Sequence, residues 1–162
     1  MPISDDAAKL TLAAVFGSAL GAFSLVLRQR GEQVRLEPLD LVMLGLATYR
    51  SGRLVAFERV AAPLRGPVTD TVPDGSGAGE SVVASGDGWR WTLGELVSCP
   101  VCVGTWVAAG LVYGLHLAPR PTRAYLAVMS ATGVAQLLSE TTEALTWSSR
   151  SARRQAATEP GQ

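Results

Sequence analysis

The sequence predicts an all-α membrane protein with three transmembrane helices and one amphipathic helix lying at the membrane interface. Three observations carry that prediction. Hydrophobic residues make up 48% of the 162-residue chain and charged ones 17%, against roughly 25% charged in an ordinary soluble domain. The apolar residues are gathered into runs rather than spread along the chain. The longest run, residues 96–118, holds 23 residues without a charge, long enough to cross a bilayer as a helix.

The first span is read from residues 10–27, LTLAAVFGSALGAFSLVL, which with the preceding tail make the segment 1–27. A secretory signal would open on positive charge and close on a small-x-small cleavage site. This run instead follows Asp5 and Asp6 and precedes Arg28 and Arg30, so it reads as a retained helix. Gly17 and Gly21 give it a GxxxG spacing, which lets a second helix approach closely.

Residues 28–61 form the amphipathic region. Pro38 suits the first turn of a helix, expected over residues 39–59. Its uncharged run, residues 41–49, is too short to span. Arg50 and Arg53 follow, three apart on one helical face. Two arginines at bilayer depth would cost roughly 2.5–3.5 kcal/mol each. The segment therefore reads as a helix at the interface, its arginines reaching lipid headgroups. The competing reading is a span or half-span with Arg50 and Arg53 paired to Asp40 or Glu58 inside a bundle, where intramembrane charge marks function.

Residues 62–91 contain Pro63, Pro67 and Pro73 and end in a Gly/Ser-rich stretch. They offer too little apolar surface to offset ordering, so an irregular, flexible loop is expected. Asp70 and Asp74 read as solvated loop residues rather than metal ligands. Trp89 and Trp91 flank Arg90 where a membrane–water boundary would fall. Thr92 to Glu95 has capping-box spacing, which predicts a helix start at Thr92. Pro100 should kink that helix, or the helix should restart near Ser98.

Residues 92–138 read as a transmembrane hairpin. The core span is followed by a reversal at residues 119–123 and a third apolar run, residues 124–138. Gly110 and Gly114 make a second GxxxG, facing a small-residue stripe of Ala131, Gly133 and Ala135. His116 sits near the far end of the core span as an interfacial or capping residue. The tail, residues 139–162, is polar and is expected to fray after Trp147. Eight basic residues between the first two spans and three in the tail face three on the other side (Lys9, Arg120 and Arg123). The positive-inside rule then puts the N-terminus outside and the C-terminus in the cytoplasm of a multi-pass cell-membrane protein.

The chemistry-bearing residues are few. Cys99 and Cys102, the only cysteines, lie three apart at the start of the core span. A CxxC at a helix N-terminus favours thiolate, because the first-turn N–H groups and the helix dipole stabilise it. The pair reads either as packed small side chains or as a redox pair. His116 lies 14 residues beyond Cys102, about 21 Å along a helix, so the two cannot share a metal, and a four-thiol zinc site would need two chains. No metal or cofactor is assigned. No Ser/His/Asp arrangement, P-loop or dinucleotide fingerprint is present. Zero net charge gives no bulk attraction to nucleic acid.

The stretch Gly94-Glu-Leu-Val-Ser-Cys99-Pro-Val-Cys102-Val-Gly-Thr-Trp106 resembles a family of small bacterial membrane proteins defined by a domain of unknown function. Residues 39–50, LDLVMLGLATYR, then Arg53 and Pro63-Leu-Arg65, extend the resemblance over residues 36–138. The Gly/Ser loop at residues 74–88 stands as an insertion in that pattern. The resemblance implies membrane residence and no activity. Together with the expected topology it gathers Arg50, Arg53, Glu58, Arg65, Glu95, Cys99, Cys102 and Trp106 near the cytoplasmic boundary. There Arg50 or Arg53 would stabilise a Cys99 thiolate or bind headgroups.

The functional expectation is a non-enzymatic protein of the bilayer acting by helix–helix association, as a homo-oligomer or with a membrane-protein partner. Gly17, Gly21, Gly110 and Gly114 would be its packing residues. The alternative is a membrane thiol-redox protein or sensor using Cys99 and Cys102. A further alternative is an oligomeric pore.

Overall fold

The computed structural model describes residues 5–31, 33–75 and 79–158, with side chains described up to residue 150. In order these form α1 (Asp5–Gln29), α2 (Pro38–Phe57), a 3-10 turn (Arg59–Ala61), the one-turn helix α3 (Ala62–Arg65), β1 (Thr69–Pro73), β2 (Glu80–Ala84), α4 (Trp89–Ser98), α5 (Pro100–Leu117) and α6 (Pro119–Thr158). Two helices are long and apolar enough to cross a membrane, α1 over Asp6–Gln29 and α5 over Pro100–Leu117.

The core lies where α2, α5 and α6 meet. Leu44 and Ala47 of α2 pack against Leu111 of α5 and Leu126 of α6, with Met43, Val107 and Met129 around them. Three glycines bring the backbones together. A Cβ at Gly52 would overlap the carbonyl oxygen of Pro100, and the Cβ position of Gly104 lies 3.3 Å from Cγ2 of Thr48. That of Gly133 lies 2.9 Å from the carbonyl oxygen of Leu46. Because Gly52 meets Pro100 while Leu44 meets Leu111, α2 and α5 run antiparallel. α2, expected as a separate amphipathic helix, packs lengthwise between α5 and α6. Gly133, expected to face the core span, faces α2.

Both ends of α2 are capped by sequence-distant or local polar groups. Pro38 opens the helix, and the Glu37 N–H donates to the Asp40 carboxylate at 3.4 Å. At the other end Arg65, 4% exposed, donates to the carbonyls of Glu58 (2.6 Å), Val55 (3.2 Å) and Phe57 (3.5 Å). One guanidinium therefore satisfies last-turn carbonyls that have no partner within the helix.

Thr69–Pro73 and Glu80–Ala84 are not irregular. β1 and β2 pair antiparallel, with Thr69 opposite Ala84 and Pro73 opposite Glu80. The all-α expectation is corrected by this small sheet. Its order comes from long-range anchors that a local reading does not see. Gly94 of α4 presses on it so closely that a Cβ would overlap the Val68 carbonyl oxygen and Ala84. The Ser85 N–H donates to Val68 O at 2.9 Å, Thr69 Oγ1 to Arg65 O at 3.0 Å, and Arg90 to Pro67 O at 2.5 Å.

α4 starts three residues ahead of Thr92. Gly88, with φ of 57° in the left-handed region that favours glycine, turns the chain into Trp89. Thr92 Oγ1 donates back to Gly88 O at 3.2 Å. The helix breaks at Cys99 and restarts at Pro100, two residues beyond the expected point. The reversal into α6 is Ala118 alone, and Pro119 already begins the helix. α6 runs 40 residues without interruption, roughly 60 Å. The tail expected to fray after Trp147 is helical to Thr158.

α1 runs alongside α5 in the same direction. Phe16 meets Trp106 edge-on at 4.9 Å between ring centroids, and Phe23 meets Tyr113 at 4.0 Å. Both steps are seven residues, the spacing at which parallel helices keep one seam.

Two outcomes follow for the purified protein in detergent. Gly52→Val should lower stability by about 1–3 kcal/mol through overpacking, read as a lower thermal midpoint, while Gly17→Ala, which meets open space, should leave it unchanged. Arg65→Ala should lower stability by about 2–3 kcal/mol by orphaning carbonyls of α2. Arg65→Lys should recover only part of that loss, because an ammonium lacks the planar fork.

Candidate functional site

The chemically richest region is one end of the bundle, where α2 finishes, α5 begins and α4 ends. Cys99 there has extended backbone angles, φ −96° and ψ 108°, and caps α5. Pro100 follows at the first helical position, where a missing N–H costs nothing. The Cys102 N–H donates to Cys99 Sγ at 3.3 Å. Both thiols are free and half-buried. The Cys102 S–H and N–H both favour negative charge on the Cys99 sulfur, which lowers its pKa below the ordinary thiol value.

Around this turn the charged residues are already matched. Arg50 pairs with Glu58 of the same helix end. Arg53 pairs with Glu140 of α6 at 3.2 Å and lies 5.7 Å from the ring centroids of both Tyr49 and Phe57. Glu140 also accepts from Tyr49 Oη at 3.1 Å and from Gln136 Nε2 at 3.2 Å. Lys9 of α1 pairs with Glu95 of α4 at 2.9 Å. Arg53 Nε and Thr48 Oγ1 are buried without a hydrogen-bond partner, beside a groove of about 520 Å³ between α2 and α5.

The residues grouped by sequence therefore do meet at one end, but not in the expected pairs. Arg50 and Arg53 are engaged with carboxylates, and the groups that favour the Cys99 thiolate come from Cys102. Of the partners proposed for the arginines, Glu58 is used, while Asp40 caps its own helix. Trp106 packs on Phe16. His116 Nδ1 lies 2.8 Å from Val112 O, with its ring edge-on to Phe23.

The four glycines singled out as packing residues divide. Gly17, Gly21 and Gly110 have nothing within 4 Å of where a Cβ would sit, whereas Gly114 closes on the Thr122 side chain. Sequence reasoning missed Gly52, Gly94 and Gly104 as contact points, and it missed Glu140 as the partner of Arg53. It also missed Ser130, whose hydroxyl donates to Met43 O at 2.8 Å, and the 2.8 Å contact between Ser51 and Tyr125. Ser51 and Gly52 side by side in the helix were the available signal of a close, polar crossing.

The family described as "Protein of unknown function (DUF1360)" matches residues 43–142. The chain is similar to the sporulation protein YjcA of Bacillus subtilis (strain 168), 30% identical over 103 residues, which cover 62% of this chain and 87% of the relative. No solved structure matches. The match takes in all of α2 beyond its first five residues, the cysteine turn, α5 and the first part of α6, so this chain belongs to the DUF1360 family.

Proposed function

We propose that this chain is an integral membrane protein that crosses the bilayer four times and acts by helix–helix association, with a second copy or with a membrane-protein partner. The observation that carries this reading is the uncovered apolar surface of α1. Only 6% of its most apolar stretch is buried, Leu10, Val15 and Leu25 are 71%, 52% and 59% exposed, and Gly17 and Gly21 meet nothing. A helix of a water-soluble domain would bury that face. In a membrane, open small residues are where another helix approaches.

The number of crossings follows from direction. α1 and α5 run parallel, so if both cross, an odd number of crossings separates them. α2 supplies one: its 20 residues rise about 30 Å, the thickness of the hydrocarbon core. Pairing of Arg50 and Arg53 with Glu58 and Glu140 lowers the penalty that argued against such a crossing. α6 returns antiparallel to α5 after the reversal at Ala118. Both termini and the hairpin then share a side that carries nine of the fourteen basic residues, which favours the cytoplasm. This replaces the expectation of an external N-terminus. A relative named for sporulation is compatible with a membrane component of an assembly.

Topology reporters fused to the N- and C-termini test the crossings. Both ends should report the cytoplasm, and opposite faces would refute four crossings. Association is tested by crosslinking in intact membranes. A product containing a second copy or a partner should form, and Gly17→Leu with Gly21→Leu should reduce it severalfold without moving the thermal midpoint. Monomers alone would overturn the association reading.

A further inference from the structure

Cys102, Trp106 and Tyr113 are spaced four and seven apart, so they share one stripe of α5, and Cys99 caps the start of that helix. The two rings of that stripe are those that contact α1. Cys102 consequently lies beneath the first turns of α1, away from the α2–α5 groove, and the Cys99 sulfur adjoins it through the Cys102 N–H. Cys102 opens into a cleft of about 390 Å³ between α1 and α4, lined also by Lys9, Leu12, Thr92, Glu95 and Leu96. The ion pair of Lys9 with Glu95 ties α1 to α4 beside it. Both partners of that pair are about half exposed, so the tie is weak, and the ring contacts of α1 come further along, at Phe16 and Phe23.

We propose that Cys99 and Cys102 form a thiol–disulfide exchange site for a disulfide carried by a partner polypeptide, with the first turns of α1 as its cover. Cys99 is the attacking thiol, since it caps the helix and its sulfur receives the Cys102 N–H. Its thiolate attacks one sulfur of the partner disulfide. That S–S bond breaks, and the departing partner thiolate takes a proton from water. Cys102 then loses its proton to water and attacks the Cys99 sulfur of the mixed disulfide, releasing the second partner thiol. The cysteine pair is oxidised to one disulfide by two electrons, and the partner disulfide is reduced to two thiols. The cleft suits a polypeptide segment rather than a small anionic disulfide. Its apolar walls, Leu12 and Leu96, offer contact, while its one cation is matched by Glu95 and leaves no charge for free carboxylates.

The test uses the full chain, reduced and held in nanodiscs, with an uncharged peptide cyclised by one disulfide as probe and glutathione disulfide as comparison. Wild type should yield reduced peptide and a Cys99–Cys102 disulfide found by mass spectrometry. Cys102→Ser should trap a mixed disulfide on Cys99, and Cys99→Ser should trap about tenfold less or none. Lys9→Met with Glu95→Gln should speed capture of the peptide by about threefold or more, because removing the pair loosens the cover. No trapping by Cys102→Ser, although Cys99 alkylates after denaturation and the thermal midpoint is unchanged, overturns the exchange site. Equal trapping on either cysteine overturns the assigned order, and faster reaction with glutathione disulfide overturns the polypeptide as substrate. An unchanged rate in the Lys9/Glu95 variant overturns the role of α1.

Discussion

The bundle depends on how closely α2 and α5 approach. At Gly52 the backbone of α2 comes so near the Pro100 carbonyl that no side chain fits between them, and a few residues away Gly104 admits Thr48. Such an approach aligns backbones over a long seam and increases dispersion contact between the helices. It also fixes position. With Gly52 against Pro100, the last turn of α2 stands beside the first turn of α5, so the arginines of one helix and the cysteines of the other arrive at the same end. Gly133 then lets α6 close the third side.

That arrangement changes the meaning of the charges. Taken singly, Arg50 and Arg53 argue against burying α2 at depth. Taken in the bundle, each guanidinium meets a carboxylate, one from eight residues along the chain and one from α6. Glu140 in turn collects Tyr49 and Gln136. These contacts, part-buried at Arg50 and more exposed at Arg53 and Glu140, link the end of α2 to α6 and to Glu58 in one arrangement. Arg65 acts in the same way at the end of α2, where its planar fork turns a would-be loop into a rigid cap. The hairpin that follows is held by Gly94 and by hydrogen bonds to the segment around Arg65, so it is built on the cap of α2 rather than tethered loosely to it.

The cysteine turn belongs to a different neighbour. The stripe of α5 that carries Cys102 faces α1. In the proposed reading the association surface and the cleft beside Cys102 involve the same helix from two sides: its small residues look outward, and its aromatic rings and first turns look in upon α5 and α4.

Local chemistry determined much of this protein in advance. Uncharged runs located α1 and α5, because hydropathy and length are properties of contiguous sequence. Pro38 and Pro100 located helix starts, because a residue without an N–H is tolerated only there. The Gly94–Trp106 motif located the family and the thiol pair. Only the tertiary structure decided the place of α2, the partners of its arginines, the pairing of Thr69–Pro73 with Glu80–Ala84, and which glycines touch. Gly17 and Gly52 are indistinguishable as letters, yet one meets open space and the other a carbonyl oxygen. The spacing that suggested packing was present in both the used and the unused helices. What separated them was the side of each helix that faced a neighbour, and that is fixed by contacts between residues far apart in the chain.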